Sequence, residues 1–258
     1  MKRVTSAANA RFKALLRLSH SSRERREAGL SLLDGVHLVA AYLDNAGPPQ
    51  QIVVSESGCG NTEIQALLES LAPLEPLLLS DALFKQLSTV ETPTGILAAV
   101  HTPRPREMPV EVAACVMLED IQDPGNLGSI LRSVAAAGIE HVLLSKNSVH
   151  AWSPRVLRSG MGSHFMLQIH EQVDLRQFVS AFKGRAIAAC QRAEKSVFDA
   201  DLTGNVALVF GNEGSGVSEP LLALLHERVA VPMRGKVESL NVAAAAAICL
   251  FERVRQQR

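Results

Sequence analysis

Apolar runs and helical patterns alternate along the first hundred residues. Short apolar runs predict buried strands, and segments in which apolar residues recur every three or four positions predict helices. The predicted strands are 30–33, 51–54, 74–79 and 95–100, and the predicted helices between them are 35–45, 63–71 and 81–87. Because strands and helices alternate, the pattern predicts a small α/β domain over residues 1–101.

A proline-rich stretch interrupts this pattern. Three prolines fall within the eight residues from Thr102 to Pro109. Proline fixes φ and has no backbone N–H, so neither a helix nor a central strand tolerates this density. Residues 102–110 are therefore predicted to be a linker between two domains.

Longer apolar runs follow the linker. The predicted strands are 114–118, 141–144, 165–170, 186–189, 206–210 and 228–231. Strands that are apolar at nearly every position are typical of a parallel sheet that is buried on both faces. An alanine-rich helix begins near Val242, in keeping with the high helix propensity of alanine. Residues 111–258 are thus predicted to form a second α/β domain.

Composition limits the classes of protein to consider. The 258 residues are 47% hydrophobic and 20% charged, which is too apolar for a disordered chain. The longest apolar run, 242–251, has ten residues, about half of the roughly 20 that span a bilayer. No secretory signal is visible, so we expect a cytoplasmic protein. The four cysteines are far apart and no Cys-x-x-Cys or His-x-x-x-His pattern occurs, so we expect neither a disulfide nor a metal site.

Positive charge is concentrated at the N-terminus, although the net charge of the chain is zero. Residues 1–30 contain eight Lys or Arg and two Glu. Such an arm can bind a polyanion such as nucleic acid. Alternatively, it is the solvated face of a helix whose apolar stripe includes Phe12 and Leu15. The candidate RNA contacts in this arm are Arg11, Lys13, Arg17, Arg23, Arg25 and Arg26.

Three loops that follow predicted strands carry the candidate chemistry, because ligands of open α/β sheets bind at the carboxyl ends of strands. In the first loop, Asn126 is placed to cap the next helix, and Arg132 follows six residues later. The second, 208–218, contains three glycines around Glu213 and lacks the Gly-Lys-Ser/Thr ending of a P-loop. The third, 231–242, places Ser239 and Asn241 before a helix. Each of these residues, taken singly, is also explained as a helix cap or a solvated side chain.

Taken together, the three loops resemble the signature motifs of the SpoU-type (TrmH-like) RNA 2′-O-ribose methyltransferases of the SPOUT superfamily. The matching segments are 123–132 continuing to Gly138, 210–216 and 231–242. The N-terminal segment is similar to the substrate-binding domain of this family, which is related to ribosomal protein L30e. The similarity rests on Asp34-Gly35 before a helix and on the segment 91–98.

The resemblance implies a parallel-sheet domain whose C-terminal segment forms a deep trefoil knot that binds S-adenosylmethionine. It places the cofactor contacts on Gly211, Val231, Leu240 and Met233. It assigns the catalytic role to Arg132, with Asn126, Glu213, Ser239 and Asn241 orienting Arg132, the ribose and the loops. Related enzymes are homodimers that complete the site across the interface.

The implied reaction is methyl transfer to a ribose 2′-hydroxyl. The resemblance favours 23S ribosomal RNA as the substrate. Arg132 would hold the adjacent phosphate and polarise the hydroxyl, and either that phosphate or Arg132 would take the proton. Transfer RNA is the alternative substrate, and a non-catalytic RNA-binding or ribosome-assembly protein is the alternative function. A dinucleotide enzyme would need a glycine fingerprint after the first strand of the second domain, where this chain has Asp120-Ile-Gln-Asp-Pro-Gly.

Overall fold

The computed structural model describes residues 1–90, 92–108 and 111–258. Contacts divide the chain into two units: unit 1 comprises 1–103 and 152–165, and unit 2 comprises 104–151 and 166–258. Two expectations fall partly outside the described residues, namely the end of the 102–110 linker and the first residue of the 91–98 motif, Glu91. The segment 152–165 groups with unit 1, whereas the sequence analysis expected it within a domain over 111–258.

Unit 1 contains a mixed sheet over its described residues. Its strands are β1 (Lys2–Val4), β2 (Leu30–Asp34), β3 (Gln51–Ser55), β4 (Leu77–Leu79) and β5 (Ile96–His101), in the order β1-β4-β3-β5-β2. The pairs β1–β4 and β3–β4 are parallel, and β5 is antiparallel to both of its neighbours. The predicted strand 74–79 is shorter in the structure, because Pro76 precedes it and donates no hydrogen bond.

The helices of unit 1 surround an apolar core. They are α1 (Ala10–His20), α2 (Ser22–Ala28), α3 (Val36–Ala46), α4 (Thr62–Ser70), α5 (Asp81–Leu87) and α7 (Pro154–Gly160). On α1 the apolar stripe turns inward, with Phe12, Leu15 and Leu18 in a core cluster that also contains Phe84. Asn9 caps α1 by accepting hydrogen bonds from the Arg11 and Phe12 amides. The structure thus confirms the predicted stripe behind the basic side chains.

Unit 2 contains an entirely parallel sheet over its described residues, which confirms the predicted fold class. Its strands are β6 (Ala114–Leu118), β7 (His141–Ser145), β8 (Gln168–Val173), β9 (Arg185–Ala189), β10 (Lys195–Ser196), β11 (Val206–Phe210) and β12 (Glu227–Ala230). The order is β10-β12-β9-β11-β6-β7-β8. The central strand, β11, is buried at all five positions. The deep knot stays a prediction.

The helices of unit 2 are α6 (Pro124–Ala136), α8 (Leu175–Ala181), α9 (Glu219–Leu222) and α10 (Val242–Gln256). The helices α6 and α10 pack against one another. Each begins directly after one of the three loops that carry the candidate chemistry. None of the helices in the described part of the chain is long and apolar enough to cross a membrane.

Candidate active site

The order of strands in unit 2 brings the three candidate loops to one edge of the sheet. The strands β6 and β11 are parallel neighbours, so the loops that follow Leu118 and Phe210 leave the sheet side by side. The third loop follows β12, which pairs with β9, and β9 in turn pairs with β11. The carboxyl ends of β9, β11 and β12 therefore surround a common space.

The first loop ends at an N-cap that the sequence analysis placed wrongly. Asp123, not Asn126, caps α6, and its carboxylate accepts a hydrogen bond of 2.8 Å from the Asn126 backbone amide. Pro124 occupies the first turn of α6, where its missing N–H costs nothing. Asn126 therefore lies inside the first turn, and its side chain is available for other contacts.

The side chain of Asn126 joins all three loops. Its Nδ2 donates a hydrogen bond of 3.0 Å to Oε1 of Glu213 in the second loop. Its Oδ1 accepts one of 2.8 Å from Nδ2 of Asn241 in the third loop. An ionised carboxylate only accepts hydrogen bonds, so Glu213 fixes which end of the Asn126 amide faces it. These contacts orient the three side chains, and the Asn126 amide cannot exchange its oxygen and nitrogen ends without losing both hydrogen bonds.

Glu213 holds the first loop by its backbone as well. Its carboxylate accepts hydrogen bonds from the amides of Asp123, at 3.0 Å, and Gln122, at 3.2 Å. Partial burial would raise the pKa of Glu213, but the hydrogen bonds from Asn126 and these amides outweigh it and hold the pKa below its ordinary value. Glu213 is therefore an ionised acceptor at neutral pH.

Asn241 serves both as a helix cap and as a member of this network. Its Oδ1 accepts hydrogen bonds from the amides of Ala243, at 2.9 Å, and Ala244, at 3.3 Å, which leaves Nδ2 free to reach Asn126. The capping role that the sequence analysis weighed for Asn241 is thus confirmed. Ser239, the other candidate cap, is not the N-cap of α10.

A cavity of about 190 Å³ lies among these loops. All four residues assigned to the cofactor by resemblance line it, namely Gly211, Val231, Met233 and Leu240. Ser239 and Glu213 line it too, together with Gln191 and Glu238, which the sequence analysis did not select. Local sequence gave no signal for Gln191, because only the pairing of β9 with β11 and β12 brings it to this edge.

Gly211 has a packing reason to be glycine. A β-carbon at this position would lie 2.1 Å from the carbonyl carbon of Gly216 and 2.2 Å from the Val217 amide. The loop closes this tightly because Asn212 and Gly216 exchange two backbone hydrogen bonds, at 3.0 and 2.9 Å. The close approach forms the floor of the cavity from main chain.

Arg132 is placed differently from the other candidates. It lies on the exposed face of α6 and is not among the described residues that line the cavity. Within the described part of the chain, its guanidinium makes no hydrogen bond or ion pair, so all five of its N–H donors are available. The structure therefore shows an available guanidinium on α6, the helix whose first turn contains Asn126, but does not place it beside the cavity.

Asp120 and Asn212 are further site residues that the sequence analysis did not select. Asp120 has a left-handed backbone with φ of 55°, a conformation that Asp and Asn tolerate better than most residues. Asn212 donates a hydrogen bond of 2.8 Å from Nδ2 to the Asp120 carbonyl oxygen. The contact fixes the second loop to the first. An Asn beside three glycines was the available signal, since Asn commonly organises tight turns.

The basic N-terminal arm, in unit 1, is partly engaged within the protein. Arg17 pairs with Glu24 at 3.5 Å, and Arg23 with Glu27 at 2.6 Å. Both pairs are exposed, so water and salt weaken them and phosphates can compete for either arginine. Arg11 and Lys13 are exposed, and no hydrogen bond or ion pair engages either side chain among the described residues.

Arg25 departs from the expectation for this arm. Its side chain is buried, and its guanidinium donates hydrogen bonds of 2.6 and 3.2 Å to the carbonyl oxygens of Leu18 and Ser19. These carbonyls belong to the last turn of α1, where no N–H group of the helix remains to donate to them. Arg25 therefore caps α1 and is not available to a phosphate.

Comparison with known proteins identifies both parts of the chain. Residues 113–251 match the model of the SpoU rRNA Methylase family, and residues 9–98 match that of the MRM3-like substrate binding domain. These matches confirm the resemblance that the loops suggested and the expected substrate-binding domain.

Relatives match over nearly the whole chain. The chain is 34% identical to the 23S rRNA (guanosine(2553)-2'-O)-methyltransferase RlmP of Bacillus subtilis, covering 97% of this chain and 98% of that protein. It is 28% identical to a 23S rRNA (uridine(2479)-2'-O)-methyltransferase of Streptomyces viridochromogenes, covering 99% and 93%. The crystal structure of the SpoU methyltransferase AviRb from Streptomyces viridochromogenes, in complex with AdoMet, superposes with a TM-score of 0.86 at 28% identity, covering 96% and 98%.

Proposed function

Because this chain belongs to the SpoU rRNA Methylase family, we propose that it transfers a methyl group from S-adenosylmethionine to a ribose 2′-hydroxyl of 23S ribosomal RNA. The two relatives compared above carry names that specify 23S rRNA and differ in the nucleotide, guanosine in one and uridine in the other. The substrate class is therefore shared while the target nucleotide differs between members.

The observation that carries the proposal is the single cavity shared by the second and third loops. Gly211, Val231 and Leu240 are distant in sequence and line one space of about 190 Å³. Their side chains are small or apolar, which suits an adenine ring and a thioether chain that are recognised by main-chain groups and apolar walls. The Asn126–Glu213–Asn241 network fixes the loops that form this space, so the site is largely preorganised.

The charge of the cavity lining also suits this cofactor. Among the described residues, the lining includes Glu213 and Glu238 and no Lys or Arg. A dinucleotide carries a pyrophosphate, which these carboxylates would repel, whereas S-adenosylmethionine carries a positive sulfonium and an ammonium. The lining thus favours a methyltransferase over the dinucleotide enzyme considered above. When bound, S-adenosylmethionine supplies a methyl group that is activated by its sulfonium.

Arg132 is the residue that we assign to the ribose. A guanidinium binds phosphate oxygens in a bidentate geometry, and the exposed position of Arg132 leaves its donors open to RNA. A guanidinium has no lone pair to spare for a proton, so it is a poor general base. Arg132 therefore positions and polarises the 2′-hydroxyl. The proton of that hydroxyl passes to the adjacent RNA phosphate. Glu213, Asn126 and Asn241 act as positioning residues, and Ser239 lies at the cavity.

The active form, in this proposal, is a cytoplasmic homodimer in which the partner completes the site around Arg132. The exposure of Arg132 away from the cavity lining supports this arrangement, because a second surface is needed to enclose the reacting groups. Sedimentation of the protein at micromolar concentration is expected to give twice the mass of the chain.

The function is tested by methyl transfer to defined RNA. The protein is incubated with labelled S-adenosylmethionine and with 23S rRNA from cells that lack this protein. The labelled ribose is then mapped by alkaline hydrolysis, because a 2′-O-methylated ribose protects its 3′ phosphodiester from cleavage. Label at one ribose is expected with this RNA, and none with 23S rRNA from cells that contain the protein. Label on transfer RNA alone would assign the alternative substrate, and no label on any RNA would favour a non-catalytic protein.

A further inference from the structure

Unit 1 contains a cavity that the proposed chemistry does not use. It has a volume of about 210 Å³ and is lined by the end of β2, the starts of α3 and α4, the residues Val90, Thr92 and Thr94, and the end of α7. All of its lining residues belong to unit 1. An apolar cavity of roughly 150 Å³ accommodates benzene, so this space is sufficient for a heteroaromatic base that enters edge first.

A half-buried carboxylate and an exposed cation line this cavity without pairing. Asp34 accepts a hydrogen bond of 2.6 Å from the Ser88 hydroxyl through Oδ2. Arg158 also lines the cavity, yet no ion pair within 4.0 Å joins it to Asp34 among the described residues. Burial raises the pKa of Asp34 above its ordinary value, even though the Ser88 hydroxyl, the charge of Arg158 and the Thr89 backbone amide oppose the rise. The carboxylate thus lies beside the cavity without an ion-pair partner among the described residues.

The start of α3 adds further donors. Gly35 is the N-cap and provides no side-chain hydrogen bond, so the first amides of α3 have no side-chain acceptor. The hydroxyls of Thr92 and Thr94 line the same space. Met161, which is 55% exposed, contributes an apolar surface to the cavity, and a thioether packs well against an aromatic ring. The cavity therefore combines two carboxylates, Asp34 and Glu63, with several donors and with apolar side chains that include Met161.

We propose that this cavity binds one unpaired guanine of the RNA substrate. Guanine is the base whose Watson–Crick edge offers two adjacent N–H donors, N1–H and N2–H, and an ionised carboxylate accepts such a pair. Its O6 lies beside them and accepts a hydrogen bond, which Arg158 or the amides of α3 supply. Adenine, cytosine and uracil each offer only one donor group on this edge, so none of them presents the adjacent pair. The inference rests on the proposed RNA substrate, and it adds a base preference to the domain that matches a substrate-binding model.

The test measures binding of hairpin RNAs that differ at one loop position. Fluorescence anisotropy measures the affinity of the full chain for hairpins whose loops contain only uridine except at one position. That position is guanosine, inosine, adenosine, cytidine or uridine. The guanosine loop is expected to bind about tenfold more tightly than the adenosine, cytidine and uridine loops, since one bidentate contact discriminates on this scale. Inosine keeps N1–H and O6 but lacks the N2 amino group, so it is expected to fall between.

Two variants and a matched control locate the preference. Asp34→Asn replaces one acceptor oxygen by a donor while keeping an oxygen for Ser88, and it is expected to reduce the guanosine preference to within twofold. Arg158→Met, at an exposed position, is expected to weaken guanosine binding only. Asp44→Asn makes the same change on the exposed surface of α3, outside the cavity, and is expected to leave the preference intact.

Equal binding of the five loops by the wild-type protein, or no binding of any, would overturn this inference. A full preference retained by Asp34→Asn would do so as well. The outcome is separable from that of the proposed function, because methyl transfer is measured on 23S rRNA with labelled cofactor. A protein that transfers methyl groups without a guanosine preference removes only this inference, and one that shows the preference without transfer removes only the proposed function.

Discussion

The two units contain cavities of similar size, about 210 Å³ in unit 1 and 190 Å³ in unit 2, but they use their polar side chains differently. In unit 2, Asn126, Glu213 and Asn241 satisfy one another through short hydrogen bonds. In unit 1, Asp34 and Arg158 line the same space and form no ion pair with each other. Polar groups that satisfy each other fix the shape of a site. Polar groups that face an open space are available to a ligand.

This difference suggests a division of tasks. A methyl transfer needs the reacting atoms held in a fixed geometry, so the residues around the unit 2 cavity are positioned before any ligand arrives. Recognition of a base needs donors and acceptors that no protein group has already taken. The predictions below test whether the two sets of residues respond differently to substitution.

The largest effect is expected for Arg132→Ala. Removing the guanidinium takes away the group that holds and polarises the 2′-hydroxyl, and we expect methyl transfer to fall by about a hundredfold or more. Calorimetry should show unchanged affinity for S-adenosylmethionine, because Arg132 does not line the cavity. The control is Arg176→Ala, another exposed arginine of unit 2, on α8. Equal activity of Arg132→Ala and the wild-type protein would contradict the assignment.

An intermediate effect is expected when the network of unit 2 is broken. Asn126→Ala leaves Glu213 and Asn241 without their common partner. Each lost hydrogen bond should lower the free energy of unfolding by about 1 kcal/mol. The two losses together should lower the melting temperature by about 4–8 °C, and methyl transfer should fall by about tenfold as the loops lose their alignment.

Asp34→Asn in unit 1 provides the opposite case. Because burial raises the pKa of Asp34, its ionised form is less favourable in the folded protein than in the unfolded chain. Removal of that charge should therefore not lower the melting temperature. Differential scanning fluorimetry of both variants measures the contrast, and a loss of stability in Asp34→Asn as large as in Asn126→Ala would contradict it.

The difference between Asn126 and Arg25 shows what sequence could and could not predict. Parallel strands place their carboxyl ends at one edge, so the motifs predict the three loops, and the family resemblance supplies four residues of the unit 2 cavity but not Gln191 or Glu238. The position of the N-cap is also readable, since Pro124 favours a cap one residue before it, although residue type points to Asn126. Burial of Arg25 and the grouping of 152–165 with unit 1 depend on tertiary contacts that local patterns do not encode.

A smaller effect is expected from the basic arm. The double variant Arg11→Ala, Lys13→Ala removes two exposed cations that no protein group engages among the described residues. Affinity for RNA should weaken. The negative slope of log affinity against log salt should become shallower by about 1.4, because each single-stranded phosphate contact contributes about 0.7 to its magnitude. Transfer at saturating RNA should not change. Arg25→Ala, by comparison, should lower the melting temperature, because its hydrogen bonds end α1. An unchanged salt slope in the double variant would remove the arm from the interface.

The smallest effect concerns the pH dependence of stability. The pKa of Glu213 is lowered in the folded protein, so its contribution to stability is present above its unfolded value of about 4.5 and is lost as pH falls through the folded pKa. The melting temperature of Glu213→Gln should lie below that of the wild-type protein at pH 7, and the two should converge as the pH falls below 4.5 and through the lowered pKa of the folded protein. A difference that persists at low pH would show that Glu213 acts through shape and not through charge.

The central claim is that the unit 2 cavity holds the methyl donor. A crystal structure of the protein with S-adenosylmethionine tests it most directly. The account predicts ligand density between Gly211, Val231 and Leu240, with the adenine against main-chain groups and the positive end toward Glu213 or Glu238. A donor bound elsewhere on the chain, with this cavity filled only by water, would contradict the account.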